Sequence, residues 1–480
     1  MFLGIDLGTS GVKAVVIAPD GTVAAQGAAP LAVSRPRPGW SEQDPADWLR
    51  GADLAVGAIP ADIRARVRGV GLAGQMHGAV LLDAADRPLR PAILWNDGRS
   101  EAECAELERR EPRARAITGN LAMPGFTAPK LLWVAGHEPD VFARTATVLL
   151  PKDYLRLCLT GDKATDMSDA AGTLWLDTGG RHWSEAMLAA TGLSEAHMPA
   201  LFEGSEATGV LRADVAQRWG MARVPVAAGA GDNAAGAIGV GVIGEGDALL
   251  SLGTSGVLFV ATDSFRPNPA GAVHAFCHCL PGLWHQMAVH LSAASCADWA
   301  AGQLGLDGPG TLFELAASAG AEAGEELFLP YLGGERTPHN DPAIRAAWLG
   351  LGHLTTPARL ARAVLEGVAF AFADGLAALE GAGAGPKRLA VIGGGARSRL
   401  WGEIIAAALG LPLDYLAGGE VGPALGAARL ARMAVTGEDA AAVCMRPPVR
   451  ETLLPDPALA ARLAPKLARF RAAYPALRTL

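Results

Sequence analysis

The stretch GIDLGTSGV, from Gly4 to Val12, returns as LLSLGTSGV from Leu249 to Val257, with Ser251 standing where the first copy has Asp6. Both copies contain Leu-Gly-Thr-Ser-Gly-Val between apolar runs. FLGIDLG followed by VKAVVIA reads as a hairpin, because strand-length apolar runs flank a turn of Gly, Thr and Ser. An identical strand-turn-strand setting twice in one chain predicts tandem duplication of a unit, the second copy beginning near Glu245. Two domains follow, 1–243 and 244–480, with a ligand cleft between them.

A chain of 480 residues exceeds a single compact core, and 50% hydrophobic with 19% charged residues is an ordinary globular balance. Short apolar runs ending in glycine, such as VRGVGLAG, PVAAGAG and RLAVIGGG, alternate with helical patterns. In PARLARAVLEGVAFAFADGLAALE, Pro357 falls where a first helical turn tolerates it. Alternation of strands and helices predicts an α/β architecture with helices covering mixed sheets.

The net charge of −8, without a long basic block, argues against nucleic acid or an anionic membrane as the main partner. Residues 267–297 lack Asp, Glu, Lys and Arg, yet histidines, amides and prolines interrupt them, so no membrane span is expected. Six cysteines are too few for a disulfide framework, and no basic signal region precedes the first strand. A reduced, cytoplasmic location is the expectation; the oligomeric state stays open, a homodimer included.

A hydroxyl-bearing glycine turn offers backbone N–H groups to an anion, and two such turns across a cleft suit one polyphosphate. No Walker A pattern is present. Gly8, Thr9 and Ser10 form the first turn and Gly253 and Thr254 belong to the second. Asp6 beside a triphosphate calls for an intervening cation, so Mg²⁺ is expected near the first turn; otherwise Asp6 merely caps it. Ser251 cannot supply that charge.

In VPVAAGAGDNAAGAIGVG, Asp232 and Asn233 follow a strand and open a helical segment. Asp232 is either that helix's N-cap or, in phosphoryl transfer, the group that orients a hydroxyl and accepts its proton, for which an ordinary carboxylate pKa suffices. Gly394 and Gly395 lie in a triple-glycine turn suited to an adenosine or a phosphate. Met76 and His77 fall where an apolar run breaks, and a satisfied, partly buried histidine is the plain reading of His77. Glu335 and Arg336 in GGERTPHND read as a salt-bridged structural loop. HAFCHC, His274 to Cys279, carries metal-ligand residue types in a spacing that fits no standard zinc pattern and alternates like a strand.

Taken in order, GIDLGTSGVKAVV, GQMHGA, ILWNDGR, MPGFTAPKLLW, LLPKDYLR, DMSDAAGTLW, GDNAAGA, SLGTSGV, GERTPHN, LARAVLEGVA and VIGGGARS resemble the FGGY carbohydrate kinases from residue 1 to about Arg432. The resemblance implies paired α/β domains of the actin, Hsp70 and hexokinase (ribonuclease H-like) type. It implies ATP-dependent phosphorylation of D-xylulose at its 5-hydroxyl, with Mg²⁺. By matching motifs, Asp232 takes the catalytic base position and Asp6 the metal-side carboxylate. Met76 and His77 become sugar contacts with Asn233 beside the base; Gly253 and Thr254 match the second phosphate turn, and Gly394 and Gly395 the adenosine side. Gly136 and Arg359 depart from the family pattern at peripheral places. The competing readings are an FGGY kinase for another ketose or polyol, and a non-enzymatic nucleotide switch on the same fold.

Overall fold

The computed structural model describes residues 1–320, 324–417 and 422–479. In the first half, strand Phe2–Leu7 runs antiparallel to Gly11–Ile17, which pairs antiparallel with Val23–Pro30. On its other side Phe2–Leu7 is parallel to Val70–Gly74, followed by Pro225–Ala227 and an antiparallel edge strand, Ala207–Val210. The second half repeats this layout. Ala248–Leu252 is antiparallel to Gly256–Thr262, and that strand to Trp284–His290. Parallel partners Leu389–Ile392 and Leu413–Leu416 follow on the other side, with Val449–Leu453 as the antiparallel edge. His274–Cys277 extends the sheet beyond Trp284–His290, and each sheet has seven strands.

The two identical hexapeptides close their hairpins differently. Leu7 pairs with Val12, leaving residues 8–11 in the first turn, whereas Leu252 pairs with Gly256, leaving only 253–255 in the second. A slip of one residue moves a strand's side chains to the opposite face. Val12 is therefore buried in the first half's core, while Val257 faces the cleft. The second turn is also held from its flank: the carbonyls of Gly253 and Thr254 accept from the amides of Ala294 and Ala293, each at 2.9 Å, where the helix Ala294–Gln303 begins.

The halves meet through two helices rich in small residues, Asp232–Gly239 and Gly422–Thr436. A Cβ on Gly426 would lie 1.9 Å from the Ala235 carbonyl oxygen, so the two backbones cross with no room for a side chain. The same helix lies on the first sheet, where a Cβ on Gly71 would lie 1.9 Å from the Ala427 carbonyl oxygen. A segment from the end of the chain thus completes the core under Phe2–Leu7. The long helix Pro357–Gly381, capped by the Thr356 side chain accepting from the Arg359 amide, fills the second half's core. No helix among the described residues is long and apolar enough to cross a membrane.

Candidate active site

Between the halves lies a cavity of about 240 Å³ whose wall includes Met76, His77, Asp232, Asn233, Gly253 and Arg336. A larger cleft of about 1300 Å³ is lined by Gln26, Gly393, Gly394, Arg397, Tyr415 and Arg450. Ser251 lines both, so the two spaces meet at the residue that takes Asp6's place in the second copy of the repeat.

Asp232 is the first residue of its helix and Gly231 the N-cap, so it does not act as the N-cap. Its Oδ1 accepts from the Asn233 amide at 2.7 Å and from Asn233 Nδ2 at 2.9 Å, and among the described residues nothing is hydrogen-bonded to Oδ2. Burial pushes its pKa up to about 6, the Asn233 hydrogen bonds opposing, above the ordinary value that would suffice for a base in phosphoryl transfer. Asp6, 9% exposed, is pushed up to about 7 by burial and then by the nearby charge of Asp232, while Lys13 directly across the hairpin pulls it down. Asp6 Oδ1 is buried and has no hydrogen-bond partner among the described residues.

His77 occupies the left-handed region at φ 69°, a conformation non-glycine residues seldom adopt. Its Nδ1 lies 2.6 Å from the Gly172 carbonyl oxygen, which can only accept, so Nδ1 carries the proton and Nε2 is an acceptor. Burial lowers its pKa to about 3, which keeps the ring neutral. Met76 packs against Gly231, where a Cβ would come within 2.9 Å of its sulfur.

The phosphate turns are unequal. Thr9 Oγ1 donates to Gln75 Oε1 and accepts from Trp95 Nε1, both at 2.9 Å, and its carbonyl accepts from Gln43 Nε2 at 2.7 Å. Its hydroxyl is thereby committed within the protein, while Ser10 is exposed. Gly253 lines the smaller cavity; Thr254 is an exposed tip whose carbonyl is held by Ala293. Gly394 lines the larger cleft, but Gly395 is buried against Leu252 and Trp401.

Several residues escape sequence reasoning. Arg336 lines the cavity and donates to His274 Nε2 at 3.4 Å; among the described residues no carboxylate is within salt-bridge distance of it, so the reading of Arg336 as a structural ion pair fails. Glu335 instead accepts from the Leu291 amide and faces His290. Trp95, Phe126 and His274 share the wall. Lys130, fully buried, donates to the His77 carbonyl at 2.8 Å and the Gly125 carbonyl at 2.7 Å, and burial lowers its pKa to about 7. No local spacing signals these placements, because each depends on loops brought together by the sheets. His274–Cys277 is a strand, and among the described residues no group of three or more His, Cys, Asp or Glu side chains is arranged to hold a metal.

Two α/β domains of duplicated topology around a cleft with a carboxylate pair define the actin- and hexokinase-like class of phosphotransferase folds. The chain belongs to the FGGY family of carbohydrate kinases: residues 1–239 match its N-terminal domain and residues 248–435 its C-terminal domain. It is 54% identical over 476 residues to the xylulose kinase of Escherichia coli (strain K12), covering 99% of this chain and 98% of that one. The xylulose kinase of Klebsiella pneumoniae is 53% identical, with 100% of both chains covered. The crystal structure of xylulose kinase from Rhodospirillum rubrum superposes with a TM-score of 0.91 at 31% identity, covering 100% of this chain and 99% of that one.

Proposed function

We propose that this enzyme transfers the γ-phosphoryl group of ATP to the 5-hydroxyl of D-xylulose, giving D-xylulose 5-phosphate and ADP. The observation that carries the reading is the junction of the two cavities at Ser251, with Asp232 in the wall of the smaller one. A sugar there and a nucleotide in the larger cleft would meet beside the half-buried carboxylate. The relatives named as xylulose kinases support the choice of sugar.

In this mechanism Asp232 Oδ2 takes the proton of the 5-hydroxyl as the sugar oxygen bonds to the γ-phosphorus. The bond from that phosphorus to the β–γ bridging oxygen breaks, and ADP leaves. Asn233 fixes the carboxylate, so orientation contributes as much as basicity. Neutral His77 accepts from a sugar hydroxyl through Nε2. Gly8, Thr9, Ser10, Gly253 and Thr254 flank the phosphates through their backbone, and Gly394 the adenosine, with Gly395 behind it against Leu252 and Trp401. The buried, unpartnered Asp6 Oδ1 fits a cation that takes one carboxylate and keeps phosphate and water as its other ligands. Asp6 would hold Mg²⁺, which supplies charge neutralisation to the triphosphate.

The domains divide at 243/244, and six unpaired cysteines suit a reducing cytoplasm. A coupled assay of ADP release with D-xylulose, D-ribulose, L-xylulose and glycerol tests the reading. A clear preference for D-xylulose supports it; a stronger preference for another sugar overturns it.

A further inference from the structure

We propose that a one-residue bulge just ahead of Asp232, held by the buried side chains of Arg156 and Ser168, sets the aim of that carboxylate, which makes Ser168 and Arg156 positioning residues for the transfer step. This rests on the reading of Asp232 as the base.

The bulge is written in the strand register. Pro225–Ala227 and Ala230–Gly231 both run parallel to Val70–Gly74, with Val226 opposite Val70 and Ala230 opposite Ala73. Four steps along the one chain are thus matched by three along the other, so one residue is extra. An extra residue exchanges the faces that the following positions present, and such insertions recur beside active sites, where they re-aim a side chain. Gly229 carries the irregularity at φ 87°, and a Cβ there would lie 2.1 Å from the Leu72 carbonyl oxygen. Asp232 opens its helix directly after Gly231, where the resumed pairing ends.

A bulge interrupts the ladder, and its buried backbone groups need other partners. Arg156, fully buried on the helix Pro151–Thr160, donates through Nη2 to the Ala227 carbonyl at 2.8 Å and to the Ala228 carbonyl. The amides of Ala228 and Gly229 donate to the carbonyls of Glu206 and Gly204 at 2.8 and 3.0 Å. The last amide before Asp232, that of Gly231, donates to Ser168 Oγ at 3.1 Å. Ser168 Oγ in turn donates to Asp166 Oδ2, and Asp166 Oδ1 lies 3.0 Å from Lys152 Nζ. A hydroxyl has one hydrogen to give, so its commitment to Asp166 turns a lone pair toward Gly231. Ser168 is 1% exposed, and Asp166 and Lys152 are fully buried. None of Arg156, Ser168, Asp166 and Lys152 lines either the cavity or the larger cleft. Their hold on the chemistry therefore runs through the backbone of residues 227–231.

The test is steady-state kinetics and thermal melts of the full-length native enzyme, Ser168→Ala, Ser168→Thr, Arg156→Lys and Asp232→Ala, assayed on D-xylulose below the lowest melting temperature. Thr191→Ala is the control; it removes another buried hydroxyl of the first half, bonded to Trp175 Nε1 and the Leu188 carbonyl. Ser168→Ala should lower kcat by about 10–100-fold, the scale of a small misplacement of a reacting group, with both KM values near native. Ser168→Thr, which keeps the hydroxyl, should recover part of that loss. Arg156→Lys keeps the charge without the guanidinium fork; it should also lower kcat, and it decides the matter if Ser168→Ala does not fold. Thr191→Ala should keep native kcat. Native kcat in folded Ser168→Ala, or an equal loss in Thr191→Ala, overturns the inference and leaves the proposed function standing. Near-native turnover by Asp232→Ala removes the base itself, and the inference falls with that reading. If the sugar panel assigns another substrate, the same comparison on that sugar decides.

Discussion

Asp232 lies close enough to Asp6 for its negative charge to help hold the Asp6 carboxyl at about 7. Two carboxylates from different parts of the first half, one on the opening strand and one at a helix start, thus share one field at the cleft. Among the described residues no cationic side chain is hydrogen-bonded to either; Lys13 acts on Asp6 only through its charge.

Replacing Asp232 by Ala should lower kcat by about 10²–10⁴-fold, the range for loss of a positioned base. Nucleotide affinity should remain near native, because the residue lines the smaller cavity and not the larger cleft. Turnover assays and calorimetric titration of an ATP analogue check the two halves of this expectation.

The pH profile follows from the same residue. With its pKa at about 6, Asp232 accepts a proton from solvent as pH drops below that value, and kcat/KM should fall about tenfold per pH unit there. A limb near pH 4 instead would mean that the carboxylate is not buried as described.

Asp6 affects stability with a definite sign. Its folded pKa lies above the unfolded value of 3.8, so the folded state binds the proton more tightly. Stability from this group is present below about pH 4 and is lost as pH rises through about 7. Asp6→Asn should therefore raise the melting temperature at pH 8 relative to pH 5, by a difference equivalent to about 2–4 kcal/mol, while sharply reducing activity. Thermal melts of both proteins at the two pH values measure it.

Lys130 fastens the backbone of His77 to that of Gly125. Lys130→Met leaves the Gly125 carbonyl without its donor, at about 1–3 kcal/mol, while the His77 carbonyl keeps the Thr127 hydroxyl at 3.1 Å. The sugar KM should rise while the KM for ATP stays near native, since the clamp reaches only the wall of the smaller cavity. Equal rises in both constants would show general loosening instead.

Gly426→Ala places a methyl 1.9 Å from the Ala235 oxygen, three residues along the helix from Asp232. The melting temperature and kcat should fall together, as the backbones must separate to admit it. Differential scanning calorimetry beside the kinase assay would separate this from a purely local loss of activity.

Much of the fold is legible in the residues. The duplicated hexapeptide predicts the two equivalent hairpins, glycine-terminated apolar runs mark the parallel strands, and Pro357 begins the long helix it was expected to begin. In the site, Met76, His77, Asp232 and Asn233 converge on one cavity. Arg336 and Lys130 were not legible as site residues, because nothing in their neighbouring sequence indicates which carbonyl, ring or empty space lies opposite.

The sequence by itself determined that one unit occurs twice and that the copies differ in charge, Asp6 against Ser251. It did not determine how the identical turns close. Leu7 finds Val12 while Leu252 finds Gly256, so the same valine enters the core in one half and faces the cleft in the other. Local chemistry is equal in the two hexapeptides; what differs is their surroundings, with the helix at Ala294 binding the second turn's carbonyls and Gln43, Gln75 and Trp95 binding Thr9 in the first. Register follows the contacts around a turn as well as the turn's own residues, and those contacts exist only in the folded chain.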